Sequence, residues 1–167
     1  MSRFMDDLTW ANMHTVDDLN IIRRIYPDAR AVTKNETVGN DNGIDYVVTD
    51  RSGNTVNIDV KRRRPGVSRY WANRNDPEIT LETARSTGNP GFILNDEKLT
   101  DLYLFIFDES DTDQYFYMRA DWLRNVFKQH QNEWEQYKHT RYHADYWSEF
   151  YCLPVSVIRK VAEEYAS

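Results

Sequence analysis

The chain has 167 residues, 40% hydrophobic and 29% charged, which suits one folded domain and excludes a disordered or low-complexity protein. Aromatic residues make up 14%, so large rings are available to fill a core. The net charge of −6 hides a concentration: residues 61–85 carry Lys61, Arg62, Arg63, Arg64, Arg69, Arg74 and Arg85 against Asp76, Glu78 and Glu82, a local +4 that leaves the remainder at −10.

Residues 15–25 set Val16, Leu19, Ile22 and Ile25 at helical spacing, with Thr15 as the expected N-cap and Pro27 beyond the end. Residues 35–43 are rich in Asn, Gly and Asp and read as a loop. Residues 44–49 and 55–62 alternate in the manner of strands, joined by Asp50-Arg51-Ser52-Gly53-Asn54. Residues 65–75 look irregular, 79–83 a short strand and 86–91 a turn cluster. Residues 102–107 are the longest apolar run, a buried strand and far too short to span a bilayer; 114–118 is a shorter strand. Residues 120–130 put Leu123, Val126, Phe127 and His130 on one helical face. A last strand over 150–155 leads to Ser156, expected to cap a helix carrying Val157, Ile158, Val161, Ala162 and Tyr165. This order predicts an α/β (α+β) fold over residues 1–167, a single domain with one central mixed β-sheet flanked by helices. Cys152 alone rules out an internal disulfide, and Met-Ser-Arg-Phe-Met-Asp-Asp at the start lacks the apolar stretch of a secretory signal. The expectation is a cytoplasmic protein with no membrane partner.

The hairpin carries the chemistry. If it is centred on Ser52, cross-strand partners sum to 104, so Thr49 faces Thr55, Val47 faces Asn57 and Asp45 faces Asp59. One face holds Ile44, Tyr46, Val48, Val56, Ile58 and Val60; the other holds Asp45, Asn57, Asp59 and Lys61. Two carboxylates about 5 Å apart repel by about 3 kcal/mol at an effective dielectric near 20, before screening. A divalent cation between them reverses that sign, since Mg²⁺ prefers oxygen ligands and is commonly held by one or two carboxylates and waters. Lys61 follows on the same face about 6.5 Å along the strand, where an ammonium can orient or deprotonate a water or stabilise charge on a phosphate. Against this stands a plainer reading, in which Asp45 decorates a wet strand face and Asp59 merely pairs with Lys61.

Asp45, thirteen intervening residues and then Asp59-Val60-Lys61 resembles the motif of the PD-(D/E)xK nuclease superfamily. That motif is an Asp at the start of one strand and (Asp/Glu)-x-Lys on the next. The Pro that names it is replaced by Ile44. The resemblance covers residues 43–61 in detail and 15–162 in outline, and it is similar to small phage or mobile-element members. It implies a restriction-endonuclease-like αβββαβ core, Asp45 and Asp59 as ligands of Mg²⁺ (with Mn²⁺ able to substitute), and Lys61 as the catalytic lysine. Many members add an acid from the first helix. Asp17 and Asp18 are the candidates, although acids there also suit the helix dipole, and Glu82 is a further candidate from the strand over 79–83.

The expected function is therefore a metal-dependent nuclease hydrolysing phosphodiester bonds, most readily a DNA endonuclease. Arg62, Arg63, Arg64, Arg69 and Arg74 would contact phosphates, while Tyr70 and Trp71 would stack on a base or wedge a duplex. Cutting both strands would call for two active sites and hence a homodimer. Two rivals stand beside it: an inactive nuclease-like fold that binds nucleic acid, and an acidic protein that blocks another protein's nucleic-acid groove. His139 and His143 have the spacing of a zinc pair on a helix, but they lie among Trp134, Tyr137, Tyr142, Tyr146 and Trp147, which favours an aromatic module. Phosphate-loop, dinucleotide and serine-hydrolase motifs are all absent.

Overall fold

Apolar side chains at alternate positions of the hairpin make one of its faces a core surface, and a helix lies across that face. The computed structural model describes residues 13–36, 42–62, 76–107, 114–142 and 144–166. Helix α1 (Thr15–Ile25) is followed by strands β1 (Ala31–Lys34), β2 (Tyr46–Thr49) and β3 (Thr55–Arg62), then by β4 (Glu78–Arg85), β5 (Leu102–Ile106) and β6 (Tyr115–Arg119). Helix α2 (Ala120–His130), a 3₁₀ turn (Glu135–Tyr137), strands β7 (Lys138–Tyr142) and β8 (Trp147–Pro154) and helix α3 (Val155–Ala166) complete it. No helix among the described residues is long and apolar enough to cross a membrane.

The central sheet has the order β1-β2-β3-β5-β6. Strands β3 and β5 run parallel and every other pair is antiparallel, so the sheet is mixed. Its two faces bury different cores. Ile21 and Ile22 of α1 meet Tyr46, Val48, Ile58, Leu102, Leu104 and Ile106 on one face. On the other, Tyr103, Phe105 and Phe116 meet Ile79 and Leu81 of β4, Tyr151 and Leu153 of β8, Leu123 and Phe127 of α2, and Ile158 of α3. All five residues of β5 are buried because it serves both cores, which is why its sequence is apolar without alternation.

Helices α1 and α2 have the bounds that periodicity predicts, and the hairpin pairs in the register that sums to 104. Several expectations are corrected. The strands over 79–83 and 150–155 do not join the central sheet; with β7 they form a second, antiparallel sheet of order β4-β8-β7. Between β3 and β5 the described residues hold β4, and residues 63–75 lie outside the described part. Strands β1 and β7 were not foreseen. Both are edge strands whose side chains are largely solvent-exposed, so the alternation of apolar residues that marks a half-buried strand is missing. His139 therefore lies in a strand, its ring 5.9 Å from that of Phe150, and not on a helical face.

Neither cap is made as expected. His14 holds the cap position of α1, and the Thr15 hydroxyl instead accepts from Lys34 Nζ at 2.9 Å, tying the helix to β1. Helix α3 begins at Val155, and the cap comes from a distant residue: Asp76 accepts the Ser156 N–H at 2.9 Å and its hydroxyl at 2.6 Å.

Candidate functional site

The ladder of β2 and β3 ends at Tyr46 opposite Ile58. Beyond it the Asp45 N–H still donates to the Ile58 carbonyl at 2.8 Å, while Asp45 Oδ2 accepts the Val60 N–H at 2.7 Å. The carboxylate thus takes the place of a strand neighbour, and it lies close enough to Asp59 for a hydrogen bond between the two side chains. Burial against the hairpin, and then the Asp59 charge, push the Asp45 carboxyl up to about 6. Asp45 nonetheless keeps an open side toward solvent, whereas Asp59 is only 3% exposed.

Lys61 Nζ lies 2.7 Å from Asp59 Oδ1. Burial alone would lower the Lys61 ammonium; the Asp59 carboxylate, with Asp45 behind it, outweighs that and leaves it raised. A cation held this way is a poor base near neutral pH. It suits orienting a water or stabilising negative charge, and not the deprotonation of a water that the sequence also left open.

The walls of the site come from the second sheet and from the loop before β5. Lys61 Nζ sits 4.5 Å from the centre of the Phe92 ring. Phe92 reaches that position because the chain after β4 folds back onto a bulge at Glu82–Ala84: the Gly91 N–H donates to the Thr83 carbonyl at 2.9 Å. A Cβ on Gly91 would stand 2.1 Å from the Glu82 carbonyl oxygen, so only glycine permits this approach. Tyr103, the register partner of Asp59, donates its hydroxyl to the Phe92 carbonyl at 3.3 Å and accepts from Arg124 Nη2 at 2.9 Å. On the other side Gly43 has φ +73°, and a Cβ there would come within 2.6 Å of Thr100 Oγ1 and 3.5 Å of Asp59 Oδ2. Sequence reasoning missed Phe92, Tyr103, Arg124 and Gly43. Only Gly43, in a loop next to Asp45, carried a local signal.

The remaining candidates are spread around this centre. Asp18 is buried in α1, where Oδ1 accepts from Arg62 Nη2 at 2.6 Å and Oδ2 from the Tyr46 hydroxyl at 2.9 Å. Arg62 is accordingly no surface phosphate contact; it lies in a buried ion pair. Burial and the Asp18 carboxylate both raise the Tyr46 phenol well above its ordinary value, keeping it a hydrogen-bond donor. Asp17 lies 3.8 Å from His14 Nδ1. Glu82 pairs with Arg85 of the same strand at 2.5 Å, and both line a cleft of about 320 Å³ that Lys61, Arg62 and Phe92 also line. Arg63, Arg64, Arg69, Tyr70, Trp71 and Arg74 fall outside the described residues.

Among the described residues no group of three or more His, Cys, Asp and Glu side chains comes together. What gathers is the pair Asp45 and Asp59. Its donors are all hard oxygens, the Asp45 carboxyl is raised by burial and then by the Asp59 charge, and Asp45 keeps a solvent side for a hydrated ion. That chemistry fits Mg²⁺ or Mn²⁺, which retain several waters, better than it fits Zn²⁺. The chain matches no family model, no curated protein and no solved structure.

Proposed function

We propose that this protein is a metal-dependent nuclease that hydrolyses phosphodiester bonds, with DNA as its first candidate substrate and Mg²⁺ or Mn²⁺ as its cofactor. The observation that best supports the reading is the Asp45 carboxylate turned across the end of β2 onto Asp59, with the Lys61 ammonium on the next position of the same face. A fold optimised for stability alone gains by removing one of those carboxylates; a metal site needs both.

In this reading Asp45 and Asp59 hold the ion, which would supply an activated water and stabilise the departing oxygen. Lys61, fixed between Asp59 and the Phe92 ring, would steady the attacking water and the charge that builds on the phosphate. Tyr103 and Arg124 hold the Phe92 backbone, and through it the ring beneath the ammonium. A homodimer would cut both strands of a duplex.

The test is calorimetric titration with Mg²⁺ and Mn²⁺, wild type beside Asp59→Ala, followed by cleavage assays on plasmid, linear and branched DNA. Binding at up to millimolar affinity that the folded variant lacks, with metal-dependent cleavage lost in Asp59→Ala and Lys61→Ala, is the expected result. Absence of metal binding in the wild type would overturn the reading. One observation favours a second reading, an inactive nuclease-like fold that binds nucleic acid. The Lys61–Asp59 pair balances much of the charge without a metal. That protein would keep salt-dependent DNA affinity in EDTA and cut nothing.

A further inference from the structure

The two carboxylates are not held alike. Asp59 sits inside β3, in register with Tyr103 of β5, whereas Asp45 stands one residue beyond the β2–β3 ladder, at a strand end open to solvent. Chain ends of this kind ordinarily fray, and a metal ligand has to be held more firmly than that. What steadies it is a run of four successive carbonyls, each taken by a donor from outside the segment. The Asn42 carbonyl accepts the Leu99 N–H at 2.9 Å, Gly43 the Thr100 hydroxyl at 2.7 Å, Ile44 the Asn35 side-chain Nδ2 at 2.8 Å, and Asp45 the Asn35 N–H at 2.7 Å.

The two bonds from Asn35 fall on the two peptide groups that flank the Asp45 Cα. The first of these groups is pinned at its other end too, because the Asp45 N–H donates to the Ile58 carbonyl at 2.8 Å. Peptide groups are planar, so holding both planes sets the direction in which the Asp45 side chain leaves the backbone. Asparagine suits this task because its side chain is itself an amide, and one residue can offer two N–H groups to successive carbonyls.

Thr100 holds the turn just before. Gly43 has φ +73°, and its missing Cβ admits the Thr100 hydroxyl, which lies 2.6 Å from where a methyl would stand. The loop that carries Thr100 is in turn fixed to the strand that carries Asp59. Asn57 Nδ2 donates to the Leu99 carbonyl at 3.0 Å, its N–H donates to Asp101 Oδ2 at 2.8 Å, and its carbonyl accepts the Asp101 N–H at 2.9 Å. Asn57 stands two residues before Asp59, on the same face of β3. These contacts close a ring from Asp59 through Asn57, residues 99–101 and Gly43 to Asp45.

We infer that Asn35 and Thr100 are positioning residues of the carboxylate pair, which fix Asp45 against Asp59 through the backbone and so suit the pair to a cation of strict geometry. The inference rests on the metal-binding part of the nuclease reading. Mg²⁺ demands near-ideal octahedral coordination, while Ca²⁺ accepts irregular ligand sets, so a loosened Asp45 penalises Mg²⁺ more.

The experiment measures Mg²⁺ and Ca²⁺ affinities of the full chain by calorimetry, with a thermal melt of each variant. Asn35→Ala removes the Nδ2 donor and keeps the backbone N–H; Thr100→Val removes the hydroxyl at nearly constant volume, and Thr100→Ser retains it. Folded Asn35→Ala is expected to bind Mg²⁺ about tenfold more weakly and Ca²⁺ only about twofold. Thr100→Val should move in the same sense, and Thr100→Ser should match wild type. A merely structural role lowers Tm and leaves the ratio of the two affinities unmoved in the folded protein; that outcome in both variants overturns the inference and spares the metal site. A shift in one variant alone retains that residue and strikes the other. If Asn35→Ala does not fold, Thr100→Val against Thr100→Ser decides. A wild type that binds no Mg²⁺ overturns the metal reading itself, and the positioning role falls with it.

Discussion

Replacing Asp45 by Asn removes one of two adjacent carboxylates while keeping an oxygen that accepts the Val60 N–H at 2.7 Å. The cost being relieved can be worked from the structure. The Asp45 carboxyl is raised from its ordinary 3.8 to about 6, first by burial and then by Asp59. Two units correspond to about 3 kcal/mol if nothing screens the group. Asp45 has an open side to water, which reduces the figure to about 1 kcal/mol. The sign follows from proton linkage. Above pH 6 the carboxyl is ionised in both folded and unfolded chains, and the folded state bears the full repulsion. Between about 6 and 4 the folded state takes up a proton first, and below 4 neither state is charged. Asp45→Asn is therefore expected to be more stable than wild type by about 1 kcal/mol at pH 8, a rise of about 2–4 °C in Tm, and the advantage should fade toward pH 4. Thermal melts at pH 8 and 4.5, read by circular dichroism, measure it. In Mg²⁺ at ten times its dissociation constant the wild type should regain about 1.4 kcal/mol and the variant nothing, so the two melts converge. A variant less stable than wild type at pH 8, or a difference that ignores pH, would refute the reasoning.

Lys61→Ala is expected to leave the nearly buried Asp59 carboxylate without its partner and to cost about 2–4 kcal/mol in urea unfolding, in addition to losing cleavage; a neutral change would mean that the pair at 2.7 Å contributes little. Tyr46→Phe removes a buried hydroxyl from Asp18 and should cost about 1–2 kcal/mol by the same measurement. Gly91→Ala drives a methyl against the Glu82 carbonyl, so a loss of about 1–3 kcal/mol is expected together with reduced cleavage, because the Phe92 ring must shift from under Lys61. Full stability in that variant would show that the loop relaxes freely.

How much of this was legible beforehand depends on whether each interaction is local. The helices over 15–25 and 120–130 were readable because an apolar stripe at period 3.6 and charged ends lie within eleven residues. The register that brings Asp45 toward Asp59 was readable because a five-residue turn, Asp50 to Asn54, fixes which residues face one another. The edge strands β1 and β7 were not readable, since Ala-Val-Thr-Lys and Lys-His-Thr-Arg-Tyr carry no alternation of apolar and polar residues. The distribution of strands between two sheets was equally hidden, because β4 is as apolar on one face as a central-sheet strand would be.

By itself, then, the sequence determined the mixed α/β class, the three core helices, the hairpin and the grouping of Asp45, Asp59 and Lys61 on one face, all consequences of periodicity and of a short turn. Tertiary structure alone decided what surrounds that group. It set Phe92 beneath Lys61, about thirty residues on, through a glycine that tolerates contact with a carbonyl. It also turned Arg62, which the sequence presents as one more charge in a basic run, into a buried partner of Asp18 forty-four residues away. Such contacts join residues distant along the chain, and their energies depend on burial and on which acceptors remain unmet, neither of which a spacing of residues encodes.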